Sequence, residues 1–162
     1  MSLDLNAIDT EYKGYYFRSR IEAKWAVFFD ALGWKWDYEI EGFSLPSGAY
    51  LPDFYFPDLN VWAEVKYREL SANEMSRCCE LSERMNKSKF GVDIIILVGS
   101  PSFRNYKTIS GGILSEEVVM MPINDRFYPF YTSKFSKFYC GGVEDAIIKA
   151  RSSRFEFEWK EV

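Results

Sequence analysis

The sequence predicts a single α/β domain in which a mixed sheet is flanked by helices. Residues 19–33 repeat apolar side chains at helical spacing, the segments after them alternate apolar with polar residues, and residues 92–99 form a nearly continuous apolar run. A chain of 162 residues has the usual size of one domain. We therefore expect residues 1–162 to form one domain, with a core over about 15–100 and a C-terminal extension over 101–162.

The first helix is predicted over residues 19–33. Its apolar residues recur every three or four positions, and Gly33 ends the pattern. Ser19 followed by Glu22 forms a capping box, in which each side chain bonds a free N–H group at the helix start. Glu22 therefore has a structural explanation as a cap, which does not exclude a role in a functional site.

Three strands are predicted between the first helix and residue 66. Residues 34–45 alternate and are followed by a Pro-Ser-Gly turn. Residues 51–56 and 61–66 are separated by Pro-Asp-Leu-Asn, which predicts a hairpin.

The hairpin register decides which carboxylates meet. Pairing Phe56 with Val61 sets Asp53 opposite Glu64, and strand alternation puts Lys66 on the same face as Glu64. Opposed residues have Cβ atoms roughly 4.5–5.5 Å apart, so two carboxylates there repel each other unless a positive charge lies between them. A divalent cation would supply that charge. The alternative is an exposed polar hairpin face on which Lys66 neutralises the acids.

The second half of the core is predicted as a helix and a buried strand. Ser71 begins the helix, with Glu74 completing a capping box, and the helix should end between residues 87 and 91. The apolar run at 92–99 is typical of a strand covered on both faces. Beyond it we expect further elements, in chain order a strand at 118–123, an aromatic stretch at 127–139, a short helix at 143–150 and an alternating tail at 154–160.

Composition excludes several kinds of site. The chain has no histidine, which removes Ser/His and Cys/His nucleophilic sites and histidine-based zinc sites. Its three cysteines are odd in number and lack metal-finger spacing, so we interpret them as small core residues of a protein from a reducing compartment. The longest apolar run, Ile94 to Val98, is too short to cross a bilayer, and no signal pattern is present. We expect a soluble cytoplasmic protein with no membrane partner.

Charge is unevenly distributed along the chain. The net charge of −4 disfavours strong nonspecific attraction to nucleic acid. Residues 66–107, however, hold eight basic and five acidic residues, a balance of +3, which leaves −7 for the rest of the chain. A local basic surface is therefore compatible with the sequence.

One combination of these residues resembles a known family. Pro52-Asp53 is followed after ten positions by Glu64-Val65-Lys66, and both follow the helix "FRSRIEAKWAVFF", which contains Glu22. This arrangement resembles the PD-(D/E)xK nuclease superfamily, and within it the endonuclease subunit of Tn7-type transposases and resolvase-like members. The resemblance implies a restriction-endonuclease-like core of helix, three-stranded antiparallel meander, helix and strand. It covers about residues 15–100.

The resemblance also implies an activity and a set of roles. The protein would be a DNA phosphodiester hydrolase that requires Mg²⁺, with Mn²⁺ as a substitute, and would act as an endonuclease. Asp53, Glu64 and the Val65 carbonyl would bind the metal, and Glu22 would hold a second ion or its waters. Lys66 would orient or deprotonate the attacking water. Independently, hard cations prefer oxygen ligands and can activate water without histidine.

Other interpretations stay open at this point. A nuclease fold without catalysis could bind DNA or a protein partner, and a structural or regulatory subunit with no nucleic-acid role is a second alternative. Many relatives cut both strands as dimers, so this chain could form a homodimer or join a larger recombination, replication or transposition complex. We interpret Arg77 and Arg84 as part of a solvated helix face with Glu80 and Glu83, in preference to phosphate contacts. We interpret the aromatic residues at 127–139 as core or packing cover, in preference to a base-stacking surface.

Overall fold

The computed structural model describes residues 8–85, 92–102, 106–115, 118–123, 126–131 and 140–155. The described residues form a mixed α/β fold with three helices and a six-stranded mixed sheet. In chain order the elements are β1 (Thr10–Tyr12), β2 (Tyr15–Phe17), α1 (Arg20–Ala31), β3 (Asp37–Tyr38), β4 (Phe43–Leu45), β5 (Gly48–Tyr50), β6 (Phe54–Phe56), β7 (Val61–Lys66), α2 (Ala72–Met85), β8 (Ile94–Val98), β9 (Tyr106–Ser110), β10 (Ile113–Ser115), β11 (Val118–Ile123), β12 (Arg126–Tyr131) and α3 (Cys140–Ser152).

The central sheet has the strand order β10-β9-β8-β7-β6-β3. Neighbouring strands are antiparallel except β7 and β8, which are parallel and are connected through α2. The remaining strands pair as β1-β2, β4-β5 and β11-β12. No helix among the described residues is long and apolar enough to cross a membrane.

The sheet separates two hydrophobic cores. On one face, α1 and α3 pack against Val61, Ala63 and Val65 of β7. On the other face, α2 and the β4-β5 hairpin pack against Trp62 of β7 and the alternate residues of β8, and Cys78 lies buried there as a small core residue. Consecutive residues of β7 therefore point into different cores, as alternation predicts. Both faces of this strand are covered.

Both capped helices of the core begin where the sequence predicts. The Ser19 hydroxyl accepts the Glu22 N–H at 3.2 Å, and α1 runs over Arg20–Ala31. The Ser71 hydroxyl accepts the Glu74 N–H at 3.3 Å in the same way, immediately before α2. The predicted end of the second helix, between 87 and 91, lies outside the described residues.

The hairpin prediction is confirmed. The pairs Phe56–Val61, Tyr55–Trp62 and Phe54–Ala63 have the predicted register. The buried strand predicted within 92–99 is also confirmed, as β8.

The single strand predicted over 34–45 is wrong. The chain pairs only briefly as β3 and then turns at Glu39, whose φ of 48° lies in the left-handed region. Residues 43–50 form the separate β4-β5 hairpin instead, with the predicted turn at 46–48 between its strands. Alternation continues through residues that belong to two different sheets, so the pattern could not reveal the break.

Helix α2 is fixed to the sheet by a buried polar network. The Ser82 hydroxyl donates to Asp93 Oδ2 at 2.7 Å, and the Gly111 N–H donates to the same oxygen at 2.9 Å. At Gly112, an added Cβ would lie 2.5 Å from Glu83 Cγ, so the β9-β10 turn approaches α2 closely. This network sets the position of the helix that forms one wall of the cleft described below.

The C-terminal part is described only in places. The strand predicted at 118–123 is confirmed as β11, and the predicted short helix is α3, which is longer than expected. The first five residues of the aromatic stretch 127–139 belong to β12. The rest of that stretch and residues 156–160 of the predicted tail lie outside the described residues.

Candidate active site

A cleft of about 440 Å³ opens where β6 stops pairing with β7. Its walls come from the start of α1, the β4-β5 hairpin, the end of β7 and the first turns of α2. The four predicted catalytic residues all line it, namely Glu22, Asp53, Glu64 and Lys66. The structure therefore brings together residues that are up to 44 positions apart in the chain.

Asp53 lies one residue before β6, at the point where the strand ladder ends. Its side chain is 7% exposed, and its Oδ2 accepts the Val65 N–H at 2.7 Å. The carboxylate thus accepts the β7 N–H that a backbone carbonyl would accept if the pairing with β6 continued. The N–H and C=O of one strand residue point to the same edge, so the Val65 carbonyl, which was also predicted as a ligand, faces this edge of the cleft.

Glu64 is held by two neighbours. The residue is 6% exposed, its Oε2 accepts the Tyr50 hydroxyl at 2.9 Å, and its Oε1 lies 3.5 Å from Lys66 Nζ. The sequence did not point to Tyr50, because that residue lies on the β4-β5 hairpin, which alternation did not reveal. The predicted alternative of an exposed hairpin face is wrong, since α2 and this hairpin cover Glu64.

Glu22 belongs both to the helix cap and to the cleft. Its main-chain N–H bonds Ser19, while its Oε2 accepts the Tyr38 hydroxyl at 3.3 Å. The side chain is 7% exposed. Glu22 therefore belongs to the helix cap and also lines the cleft, and its role as a metal ligand stays a prediction. No sequence pattern pointed to its contact with Tyr38.

Burial raises the pKa of all three carboxyls. Burial raises the pKa of Asp53 well above its usual value, and the charges of Glu64 and Glu22 raise it further. Burial also raises the pKa of Glu22, although hydrogen bonds with Ser19, Asp53 and Tyr38 oppose the rise. Burial raises the pKa of Glu64 to about 7 despite the opposing charge of Lys66. Three acids crowded in a poorly solvated cleft favour a bound cation or bound protons.

Lys66 keeps its proton at neutral pH. Burial lowers the pKa of its amine, but the negative charges of Glu64, Asp53 and Glu74 raise it by more. The Nζ lies 3.5 Å from Glu64 Oε1 and 3.9 Å from Glu74 Oε2. In this arrangement the amine is a positive charge and a hydrogen-bond donor rather than a base.

The donor set fits a hard divalent cation. Three carboxylates and a main-chain carbonyl are oxygen ligands, which Mg²⁺ and Mn²⁺ prefer. Within the described ranges, no three His, Cys, Asp or Glu side chains are already arranged as a complete metal-binding group. Part of each carboxylate is engaged by the protein, Asp53 by Val65, Glu22 by Tyr38 and Glu64 by Tyr50 and Lys66. Their role as metal ligands remains a prediction.

Cationic side chains surround the carboxylates. Arg18 pairs with Glu39 at 2.9 Å, and Arg68 pairs with Glu74 at 3.0 Å. Arg77 of α2 also lines the cleft. Acids of the cleft wall therefore neutralise Arg18 and Arg68, whereas Arg77 makes no ion pair with the residues that the structure describes.

The solvated-face interpretation of α2 is wrong for two of its four residues, Arg77 and Glu80, which are half-buried. Glu80 accepts both the N–H and the hydroxyl of Ser47, and the exposed Arg84 donates to the Ser44 carbonyl at 3.0 Å. Arg77 is half-buried against the same hairpin. These three residues share one helical stripe, which would have indicated a docking face if the β4-β5 hairpin had been recognised. Glu83 and Arg84 are exposed as predicted, and Glu83 packs its stem near Gly112.

We expect the metal-free protein to lose stability as the pH rises. The pKa of Glu64 rises from 4.5 in the unfolded chain to about 7 in the folded protein. The protonated Glu64 therefore stabilises the fold fully below pH 4.5, and this contribution is lost as the pH rises through about 7. The free energy of unfolding in EDTA should therefore fall by on the order of 2 kcal/mol between about pH 5 and 8. Glu64→Gln should make this fall smaller, because the share of Glu64 is gone while those of Asp53 and Glu22 remain, whereas the exposed Glu83→Gln should leave the fall unchanged. A flat profile for the wild type would contradict the burial of these charges.

Comparison of the chain with protein-family models, with curated proteins and with solved structures finds no significant match in any of the three.

Proposed function

We propose that the chain is a divalent-metal-dependent phosphodiester hydrolase that cuts DNA as an endonuclease of the PD-(D/E)xK type. The observation that carries this proposal is the burial of Glu22, Asp53 and Glu64 in one cleft, with the protonated Lys66 beside Glu64. Buried carboxylates in such proximity are costly unless a cation neutralises them.

The order of elements supports a restriction-endonuclease-like core. Helix α1 is followed by the antiparallel strands β3, β6 and β7, then by α2 and by β8, which is parallel to β7. This is the succession of helix, three strands, helix and strand, with the β4-β5 hairpin inserted after the first strand. The carboxylates lie where β6 and β7 separate.

The cationic rim supports a phosphodiester as the substrate. Arg18, Arg68 and Arg77 line the same cleft as the carboxylates. The oxygens of a phosphate group are good acceptors for guanidinium groups, and Arg77 has no carboxylate partner among the described residues. Nucleic acid is the polyanion that presents such groups in a row.

The chain's own residues would act mainly by holding the cation and the charged side chains in position. Asp53, Glu64, Glu22 and the Val65 carbonyl would hold the cation, which when bound would acidify a water and stabilise the charge that develops on the phosphate. The Val65 N–H fixes the Asp53 side chain and the Tyr50 hydroxyl fixes Glu64. Lys66 would donate a hydrogen bond to the attacking water or to a phosphate oxygen.

Cleavage of labelled single-stranded, duplex and branched DNA in Mg²⁺ or Mn²⁺ tests the proposal. We expect metal-dependent cutting of at least one substrate, and its loss in EDTA. Binding without cutting on every substrate would instead favour the catalytically silent module. A failure to bind any of the three would contradict a role in DNA metabolism.

Glu22→Gln should separate capping from metal binding. An amide can still accept hydrogen bonds from Ser19 and Tyr38, so the free energy of unfolding should change by no more than about 1 kcal/mol. Cleavage and Mn²⁺ affinity should both fall, because one negative charge leaves the site. Full activity with lowered stability would show that Glu22 is only a cap. The control is Glu11→Gln, an exposed acid on β1.

A further inference from the structure

Arg77 has an unsatisfied donor inside the cleft. Its Nε is buried and has no hydrogen-bond partner among the described residues. The guanidinium lies against the β4-β5 turn, where a Cβ added to Gly48 would be 3.6 Å from Nη2 and 3.7 Å from Nε. A buried guanidinium donor without an acceptor is costly, and a ligand that brings oxygen acceptors would satisfy it.

The other cations that line the cleft already have carboxylate partners. Arg18 pairs with Glu39, Arg68 with Glu74, and Lys66 lies near both Glu64 and Glu74. In the part of the chain that the structure describes, Arg77 makes no such ion pair. The arginine whose charge is least compensated is thus the one on the α2 wall.

We propose that Arg77 binds a backbone phosphate of the DNA in this cleft. The proposal rests on the function proposed above and adds a substrate-binding residue to it. A phosphodiester offers two charged oxygens, which match the fork of N–H groups on a guanidinium.

The residues around Arg77 show where in the cleft a bound phosphate would lie. Glu80, one turn further along α2, bonds Ser47 of the turn, and Gly48 of that turn lies against the guanidinium. The hairpin that brings Tyr50 to Glu64 therefore also packs against Arg77. A phosphate held there would lie at the α2 side of the carboxylate cluster.

Arg84 is a matched control on the same helix. It is exposed, its guanidinium donates to the Ser44 carbonyl, and it does not line the cleft. Replacing either arginine by methionine removes one positive charge from α2 and keeps most of the aliphatic stem. Only the loss at Arg77 should affect DNA binding at the cleft.

The experiment is fluorescence anisotropy with a duplex oligonucleotide in EDTA, at several salt concentrations, alongside thermal unfolding. We expect Arg77→Met to weaken binding about tenfold at 0.1 M salt and to reduce the slope of log K against log salt by about 0.9. Arg84→Met should bind as the wild type does. Thermal stability of Arg77→Met should not fall, because an unsatisfied buried donor is removed. Arg77→Lys keeps the positive charge but loses the paired N–H donors of the guanidinium, so it should bind more weakly with an unchanged salt slope. This variant replaces Arg77→Met as the test if the methionine variant does not fold.

The outcomes separate this inference from the proposed hydrolysis. Equal binding by wild type and Arg77→Met, or equal losses in both methionine variants, would overturn the role of Arg77 and leave the hydrolase proposal standing. Specific loss at Arg77 without metal-dependent cutting would support the phosphate contact and overturn the hydrolysis. Absence of salt-dependent binding by the wild type would overturn both.

Discussion

Asp53→Asn is expected to stabilise the metal-free protein at pH 8 while abolishing metal-dependent cleavage. The amide oxygen can still accept the Val65 N–H, and the amide NH₂ can donate to Glu22. The substitution removes a carboxyl whose ionisation is opposed by burial and by the charges of Glu64 and Glu22. We therefore expect the free energy of unfolding in EDTA to rise by about 1–2 kcal/mol, and cleavage to fall at least about 100-fold.

Chemical unfolding in EDTA and single-turnover cleavage in Mn²⁺ check the two halves of this prediction. Asp58→Asn is the control, because Asp58 is an exposed acid in the turn of the same hairpin. It should change neither quantity. A variant at Asp53 that is less stable at pH 8, or that still cuts DNA, would show that this carboxylate is a structural hydrogen-bond acceptor.

Lys66→Met is expected to abolish cleavage while leaving Mn²⁺ binding in place. The protonated amine is the cation that ion-pairs with Glu64, and its removal takes away a donor for the attacking water or the phosphate. A positioned charge or proton donor of this kind contributes about 100-fold or more to a rate. The effect on stability should be small, on the order of 1 kcal/mol at most, because the lysine is partly solvated.

Turnover measured across a Mn²⁺ titration distinguishes this role from metal binding. We expect a lower maximal rate with a similar or lower Mn²⁺ midpoint, since the competing ammonium is gone. Lys24→Met on α1, whose amine contacts the Arg151 carbonyl rather than the carboxylates, is the control. Unaltered cleavage by Lys66→Met would contradict the assigned role.

The carboxylate cluster could be predicted because local rules fix it. A four-residue turn sets the hairpin register, and that register sends Asp53 and Glu64 to the same place. Ser19 fixes the start of α1 and so places Glu22 in its first turn. These positions depend on spacings within one or two neighbouring elements, which the sequence displays directly.

The surroundings of the cluster could not be predicted, because they depend on one unusual backbone angle. Glu39 adopts a positive φ, which is uncommon for residues other than glycine. A pattern that assigns Glu39 to a strand therefore misses the break in the strand at this residue. The break it makes frees the β4-β5 hairpin to fold over the sheet, bringing Tyr50 to Glu64 and packing against Arg77. The hairpin helps to bury Glu64, and burial raises the pKa of that residue.

Mn²⁺ binding at pH 8, followed by the loss of the free-ion paramagnetic resonance signal, tests most directly whether the buried carboxylates form a metal site. We predict saturable binding to the wild type, loss of binding in Asp53→Asn, and unchanged binding in Asp58→Asn. Binding that all three proteins share, or that none of them shows, would contradict the account.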